Sequence, residues 1–187
     1  MKKQFIVALI GAAFAFPIAA QAENFYVGAN VSRVEQKIEI NAISAKETAT
    51  GYKLYTGYNF NKTFGAEAGY VDFGTAKFSN TVVTGESKSK AFYVAATFTL
   101  PIDEQFAVFG KAGVSANRVD FDETYGKKTY NTSANRSSLV FGLGAAYNVT
   151  KEFAIVAEYE NFGKIAKGTD TGDIKANTIS LGLRYKF

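Results

Sequence analysis

From Phe25 onward the chain alternates between two kinds of side chain. Phe25, Val27, Ala29 and Val31 occupy one set of positions and Tyr26, Gly28, Asn30 and Ser32 the other. A period of two is the signature of a β-strand, because successive side chains leave opposite faces. The pattern recurs seven more times. Strands are expected at about 25–34, 50–60, 64–74, 90–100, 106–117, 136–149, 153–163 and 175–187. The connections alternate too. Residues 61–63, 101–105 and 150–152 are short turns, whereas 35–49, 75–89, 118–135 and 164–174 read as long polar loops. No linker interrupts the pattern, and 187 residues suit a single domain.

The two faces differ in chemistry. Tyr52, Leu54, Thr56, Tyr58 and Phe60 share one face, and Leu139, Phe141, Leu143, Ala145 and Tyr147 another of the same kind. The opposite faces carry Gly28, Gly57, Gly65, Gly69, Gly113, Gly142, Gly144 and Gly182, with Ala95, Ser115 and Ser180. A soluble eight-stranded barrel would direct a Lys-, Glu- and Thr-rich face to water. Small residues instead suit the cramped interior of an eight-stranded barrel, which turns the apolar face outward. Its aromatic residues fall into two groups. Phe60, Phe64, Phe98, Phe106, Tyr147, Phe153, Tyr185 and Phe187 lie near the short turns, and Tyr52, Tyr70, Phe92 and Tyr159 toward the long connections. Two aromatic girdles bounding an apolar band mark the two interfaces of a membrane. The expected fold is all-β, an eight-stranded antiparallel transmembrane β-barrel. Its short turns and both termini are then expected on the periplasmic side.

Residues 1–22 read as a signal peptide. Lys2 and Lys3 precede an apolar stretch from Phe5 to Ala19, and Ala20-Gln21-Ala22 is a small-x-small cleavage site. The barrel domain is expected to occupy 23–187. Removing Lys2 and Lys3 from 21 basic residues leaves 19 against 17 acidic ones, a net charge of +2, so no nucleic-acid partner is expected. The chain has no Cys and no His. That excludes disulfides, thiolate and imidazole metal ligation, Cys nucleophiles and Ser-His-Asp catalysis. No enzyme activity is expected.

One hairpin is nearly repeated. Tyr58-Asn59-Phe60-Asn61-Lys62-Thr63-Phe64 matches Tyr147-Asn148-Val149-Thr150-Lys151-Glu152-Phe153 at Tyr, Asn, Lys and Phe, and Tyr70 then matches Tyr159. Together with Phe64-Gly65-Ala66-Glu67-Ala68-Gly69-Tyr70 and the final Leu183-Arg184-Tyr185-Lys186-Phe187, the stretch Gly57-Tyr58-Asn59-Phe60 resembles the small outer-membrane β-barrel proteins of Gram-negative bacteria, the OmpA-type transmembrane domain and OmpX-like proteins. The resemblance covers the whole mature chain. It implies an outer-membrane location and insertion by the outer-membrane assembly machinery, with Phe187 as the terminal aromatic that machinery reads. Larger OmpA-type proteins add a peptidoglycan-binding domain, an activity not carried over to a chain stopping at Phe187. Barrel enzymes of this membrane use a catalytic His that this sequence lacks.

Several constellations remain. The inward face carries Lys53, Glu67, Lys111, Glu158, Glu160 and Arg184, three bases and three acids at similar heights. Paired carboxylates suit acid/base catalysis, but a buried ion network filling the lumen is the better expectation, since a lone charge there costs several kcal/mol. Lys53 with Glu67 and Arg184 with Glu158 lie on neighbouring strands. Asp120, Asp122 and Glu123 are carboxylates suited to Ca²⁺ but lack the Gly-bearing loop such a site uses. A solvated loop is expected instead. Lys77, Lys88, Lys90, Lys127, Lys128, Arg136, Lys164, Lys167 and Lys175 gather in the long connections, where they serve either lipopolysaccharide phosphates or solubility. No catalytic, cofactor or metal site is assigned. The expected role is structural and interactive. Expected partners are outer-membrane lipid and lipopolysaccharide, and a host or cell-surface ligand reached through the loops. The alternative is a narrow pore or small-molecule transporter.

Overall fold

Eight antiparallel strands, each paired with its sequence neighbour and the last with the first, close into a barrel. They are β1 (Phe25–Ile40), β2 (Ile43–Asn59), β3 (Phe64–Ser79), β4 (Thr84–Pro101), β5 (Phe106–Tyr125), β6 (Lys128–Asn148), β7 (Phe153–Gly168) and β8 (Gly172–Lys186). The computed structural model describes residues 24–40, 43–79, 84–125, 128–168 and 172–187. Of these, the side chains of 38–40, 43–45, 76–79, 84–86, 121–125, 128–131, 167–168 and 172–173 are not described. The signal segment 1–22 lies outside the described residues.

The two faces sort as the alternation requires. Leu54, Val94, Val114, Leu143, Ile179 and Leu181 point outward, and Leu143 is 71% exposed. That much uncovered aliphatic surface is tolerable only in lipid. The aromatic rows stand at its borders, with ring pairs Phe64–Phe98 at 5.4 Å and Phe153–Tyr185 at 4.9 Å below, and Tyr70–Phe92 at 4.9 Å above. From Phe60 to Tyr52 the strand advances about 26 Å. A tilt near 40° reduces this to about 20 Å of height, on the scale of an outer-membrane apolar band.

The three short turns use one device. Asn61 Oδ1 accepts hydrogen bonds from Thr63 N and Phe64 N, both at 2.8 Å. Asp103 Oδ1 does the same for Gln105 N at 2.7 Å and Phe106 N at 2.6 Å. Thr150 Oγ1 serves Glu152 N at 3.2 Å and Phe153 N at 3.0 Å. A short polar side chain thereby caps backbone donors that the tight connection leaves unpaired. In the third of these turns the Thr150 hydroxyl also donates to Glu152, which holds the exposed Glu152 carboxyl below its ordinary range.

The long loops are a correction. Most of 35–49, 75–89, 118–135 and 164–174 is strand, for β1–β2 pairing continues from Phe25↔Tyr58 up to Ile40↔Ile43 and β5–β6 pairing up to Tyr125↔Lys128. Above the membrane the outward face turns polar. The outward apolar set that marks the alternation then ends while the backbone pairing does not.

Two seams end early. Among the described residues, β2–β3 pairing stops at Tyr52↔Asp72 and β6–β7 pairing at Phe141↔Asn161. Beside each stop, β3 and β7 carry an irregularity, between Asp72 and Thr75 and between Asn161 and Lys164. At each sits an Asx-Phe-Gly triplet. Asp72 Oδ1 accepts from Gly74 N and Asn161 Oδ1 from Gly163 N, both at 2.9 Å. Gly74 and Gly163 have φ of 77° and 61°, a conformation that residues with a Cβ rarely adopt. The hairpin repeat therefore extends from the turns through Tyr70/Tyr159 to Gly74/Gly163, four strands apart in an eight-stranded barrel. The two halves are related by a pseudo-twofold along the barrel axis. Above the seams they become two four-stranded sheets, β3–β6 and β7–β8–β1–β2.

Candidate functional site

The lumen is occupied in layers. In its middle, six charged side chains from five strands converge. Lys111 of β5 is the hub. Its Nζ lies 2.9 Å from Glu67 Oε1, 3.0 Å from Glu158 Oε2 and 2.6 Å from Glu160 Oε1. Lys53 of β2 contacts Glu158 and reaches Glu160 Oε2 at 3.0 Å. Arg184 of β8 stands farther off, 3.8 Å from both Glu67 and Glu158. The set is neutral, and all six side chains are buried. The expected ion network is therefore present, with Arg184 beside Glu158 as their adjacent strands suggest, but with Lys53 paired differently. Lys53 does not bind Glu67 on the adjacent β3; it crosses the lumen to β7. A side chain pointing into a narrow barrel meets the opposite wall as readily as its neighbour, so strand adjacency alone does not set the partner.

Sequence reasoning missed the aromatic members of this layer. Tyr26 OH donates to Glu67 Oε2 at 3.0 Å and Tyr93 OH to Glu67 Oε1 at 2.6 Å. Arg184 stacks over Tyr26 at 4.4 Å and Phe109 at 4.9 Å, a further stabilisation of a desolvated cation. Each inward ring lies over a glycine directly opposite on the next strand: Tyr26 over Gly57, Tyr55 over Gly28, Tyr93 over Gly69 and Phe109 over Gly144. A Cβ at Gly57 would sit 2.1 Å from Tyr26 Cζ. The inward glycines thus make room for rings as much as they narrow the bore. Tyr alternating with Gly on one face was the signal.

Above the ions the lumen turns apolar. Val34, Val71, Phe73, Val119, Val140, Phe162, Ile165 and Ala176 are buried there. Phe73 and Phe162, the middle residues of the two triplets, face each other edge to face at 5.0 Å, and Tyr93 joins Phe162 at 6.1 Å. Ser138 bridges the β6–β7 seam, donating to the Phe162 carbonyl at 2.7 Å and accepting from Asn117 Nδ2 at 2.7 Å.

The remaining candidates lie on the outer rim. Asp120 is paired with Arg118 at 2.9 Å, while the side chains of Asp122 and Glu123 lie outside the described residues. Among the described residues no group of three or more His, Cys, Asp or Glu side chains is placed to hold a metal ion. Of the cations expected in loops, Lys88, Lys90 and Lys164 are exposed on the outer face of strands, Lys175 is half-buried there, and Arg136 is half-buried on the inner side of β6. Lys127 and the side chains of Lys77, Lys128 and Lys167 lie outside the described residues. Lys37 and Lys46, which the loop assignment 35–49 hid, join Arg33 of the expected first strand on the outer face.

A family model described as the OmpA-like transmembrane domain matches residues 20–187. The chain belongs to this family. Outer membrane protein A of Escherichia coli O157:H7 is 28% identical over 194 residues, covering all of this chain and 55% of that protein. The chain spans about half the length of the curated relatives it matches. Among solved structures, Neisserial surface protein A aligns with a TM-score of 0.61 at 20% identity, covering 87% of this chain and 97% of that one. Ail, the attachment invasion locus protein of Yersinia pestis, aligns with a TM-score of 0.58 at 20% identity, covering 88% and 99%. These two likenesses are of fold. The OmpA-like membership makes this an integral barrel of the bacterial outer membrane.

Proposed function

We propose that the barrel is a membrane anchor whose rim is a contact surface for lipopolysaccharide or for host and cell-surface ligands. The observation that carries this is the filled lumen beneath a tall rim. An ion layer and an apolar layer occupy the bore, while strands of up to 21 residues (β6) continue well beyond the outer girdle. One Ail structure is of a complex with the heparin analogue sucrose octasulfate, which supports looking for an anionic ligand at the rim. Catalysis is not part of the proposal, since each buried carboxylate is already held by an ammonium.

The mature chain begins near Glu23, both termini face the periplasm, and Phe187 is the residue the assembly machinery reads. Phe187 N donates to Phe25 O at 3.1 Å and its ring meets Tyr185 at 5.0 Å, so it also belongs to the periplasmic girdle. Deleting Phe187 should lower insertion in cells far more than refolding in detergent; equal losses would leave it a girdle contact only.

The competing reading is a narrow pore or small-molecule transporter. Single-channel recordings in planar bilayers decide between them. Silence, with retained binding of lipopolysaccharide or cells, supports the anchor; steady unitary conductance of the folded barrel supports the pore.

A further inference from the structure

We propose that the free edge of β6 above the membrane receives an extended segment of a partner polypeptide as an added strand. This rests on the rim-contact reading above and names the partner's chemistry and its place. Among the described residues β6 pairs with β5 as far as Tyr125↔Lys128, whereas its pairing with β7 ends at Phe141↔Asn161. β7 does not reach high enough to complete it. Seven residues along each strand from that last pair, Gly168 ends β7 at the level of Ala134. Residues 128–133 of β6 rise beyond it, and the two irregularities in β7 shorten its reach further.

The turns show which way the β6 backbone points. Asn148 N donates to Gln105 O on the β5 side at 2.7 Å, and Val149 N to Phe153 O on the β7 side at 2.9 Å. The β5–β6 register is unbroken from there upward. Odd-numbered residues of β6 therefore turn N–H and C=O together toward β7. Above the seam these include Ser133, Asn135 and Ser137, all exposed. The edge thus offers a donor and an acceptor about every 6.7 Å. Another extended backbone has the same repeat, and a sugar, a lipid or an ion does not, so the occupant is a polypeptide.

Proteins blunt exposed edges with charge, proline or a bulge, because an open edge pairs with any extended chain. Three of the four described rim edges are blunted in this way. Above Tyr52, β2 carries Lys46 and Glu47. β3 breaks register beside Gly74 and carries Lys77, and β7 breaks beside Gly163 and carries Lys164 and Lys167. The β6 edge is the exception. Its residues 129–135 include no charged residue, proline or glycine, and no irregularity against β5. On the inner side Ala134 packs against the apolar layer of the upper lumen. An added strand therefore meets apolar surface on one face and water on the other. Its sequence should alternate apolar and polar residues and lack proline.

The test uses the full barrel in detergent and a fluorescent, lysine-tailed peptide of alternating Thr and Val, with binding read by anisotropy. In an antiparallel ladder like the others in this barrel, the outward Thr residues point their N–H groups at β6. N-methylation at the threonines should abolish binding, and N-methylation at the valines should leave it. Equal binding of the two methylated peptides overturns strand addition, since side chains alone would then hold the probe. Asn135→Pro removes an N–H from the open edge and none from the β5–β6 ladder. It should keep the parent's urea midpoint and weaken binding roughly tenfold. Parent-like affinity in Asn135→Pro overturns the site. Self-association of the parent without peptide, lost in Asn135→Pro, makes the occupant a second copy and overturns the partner assignment. Cells with and without the protein are also compared on a layer of extracellular-matrix protein. Adhesion by a parent that ignores the probe overturns strand addition and leaves rim contact standing. Adhesion no greater than that of cells lacking the protein overturns the host-ligand part of the rim reading.

Discussion

The middle and upper layers of the lumen fill the same bore by opposite means. In the middle, Lys53, Lys111 and Arg184 neutralise Glu67, Glu158 and Glu160, and Tyr rings roof the set. Above, Phe73, Phe162 and aliphatic residues pack without charge. Such an ion layer tolerates loss of one member badly, because the remaining charges stay buried; the apolar layer loses only the contacts removed. The difference teaches that the two layers should respond to different variables, pH for one and volume for the other.

Substitution at the hub should separate them most. Lys111→Met leaves three carboxylates to two cations, and stability should fall by about 3–5 kcal/mol, read from urea midpoints of the barrel in detergent. The deficit should narrow as pH is lowered, since protonating a carboxylate removes the unpaired charge. A deficit independent of pH would show that packing, not charge, is what Lys111 supplies.

Phe162→Ala should cost about 3 kcal/mol through the cavity it opens, and this loss should not change with pH. Filling the gap by Phe162→Leu should restore much of it in the same denaturation assay. Next in size is Gly57→Ala, which drives a methyl into the Tyr26 ring and disturbs its bond to Glu67. A loss of about 1–3 kcal/mol is expected, and Gly57→Ala combined with Tyr26→Ala should lose less than the two changes summed. Arg184→Ala should fall short of Lys111→Met, because its nearest carboxylates are 3.8 Å away. Gly163→Ala should be the smallest, about 1 kcal/mol for the left-handed backbone. Gly74→Ala should exceed it, since a Cβ there meets Thr50 O at 2.3 Å while the nearest atom at Gly163 is 3.3 Å away. Thermal midpoints of the two variants side by side would show the order.

The strand count, the lipid face and the six lumen charges were legible because each depends only on the period of two and on residue type. The strand ends were not. Glu35, Lys37 and Lys46 face water on the outside, so the cue that marks a strand vanishes where the membrane ends. The ion partners were hidden for another reason: Lys53 reaches Glu160 across the bore, a distance set by barrel closure and not by chain neighbours. The free edge of β6 needed both the extended strands and their register. The apolar layer was obscured because a bulky inward Phe162 runs against the small residues elsewhere on that face. The Asx-Phe-Gly triplets need no long-range information to be read, since each begins two residues past the matched Tyr70 and Tyr159.

Those triplets also fix how the molecule yields. The ladder joining the first and last strands runs from Tyr26↔Lys186 to Glu39↔Asp173, so the chain termini are firmly stitched. The weak lines fall inside the chain, at β2–β3 and β6–β7, each ending beside a glycine of positive φ. An outward load on the rim would part the barrel along these lines into two leaves hinged at Gly74 and Gly163, leaving the ionic floor closed. Amide exchange should report the same anisotropy: backbone amides along the β6 edge above Phe141 that point toward β7 should exchange sooner than their neighbours bonded to β5.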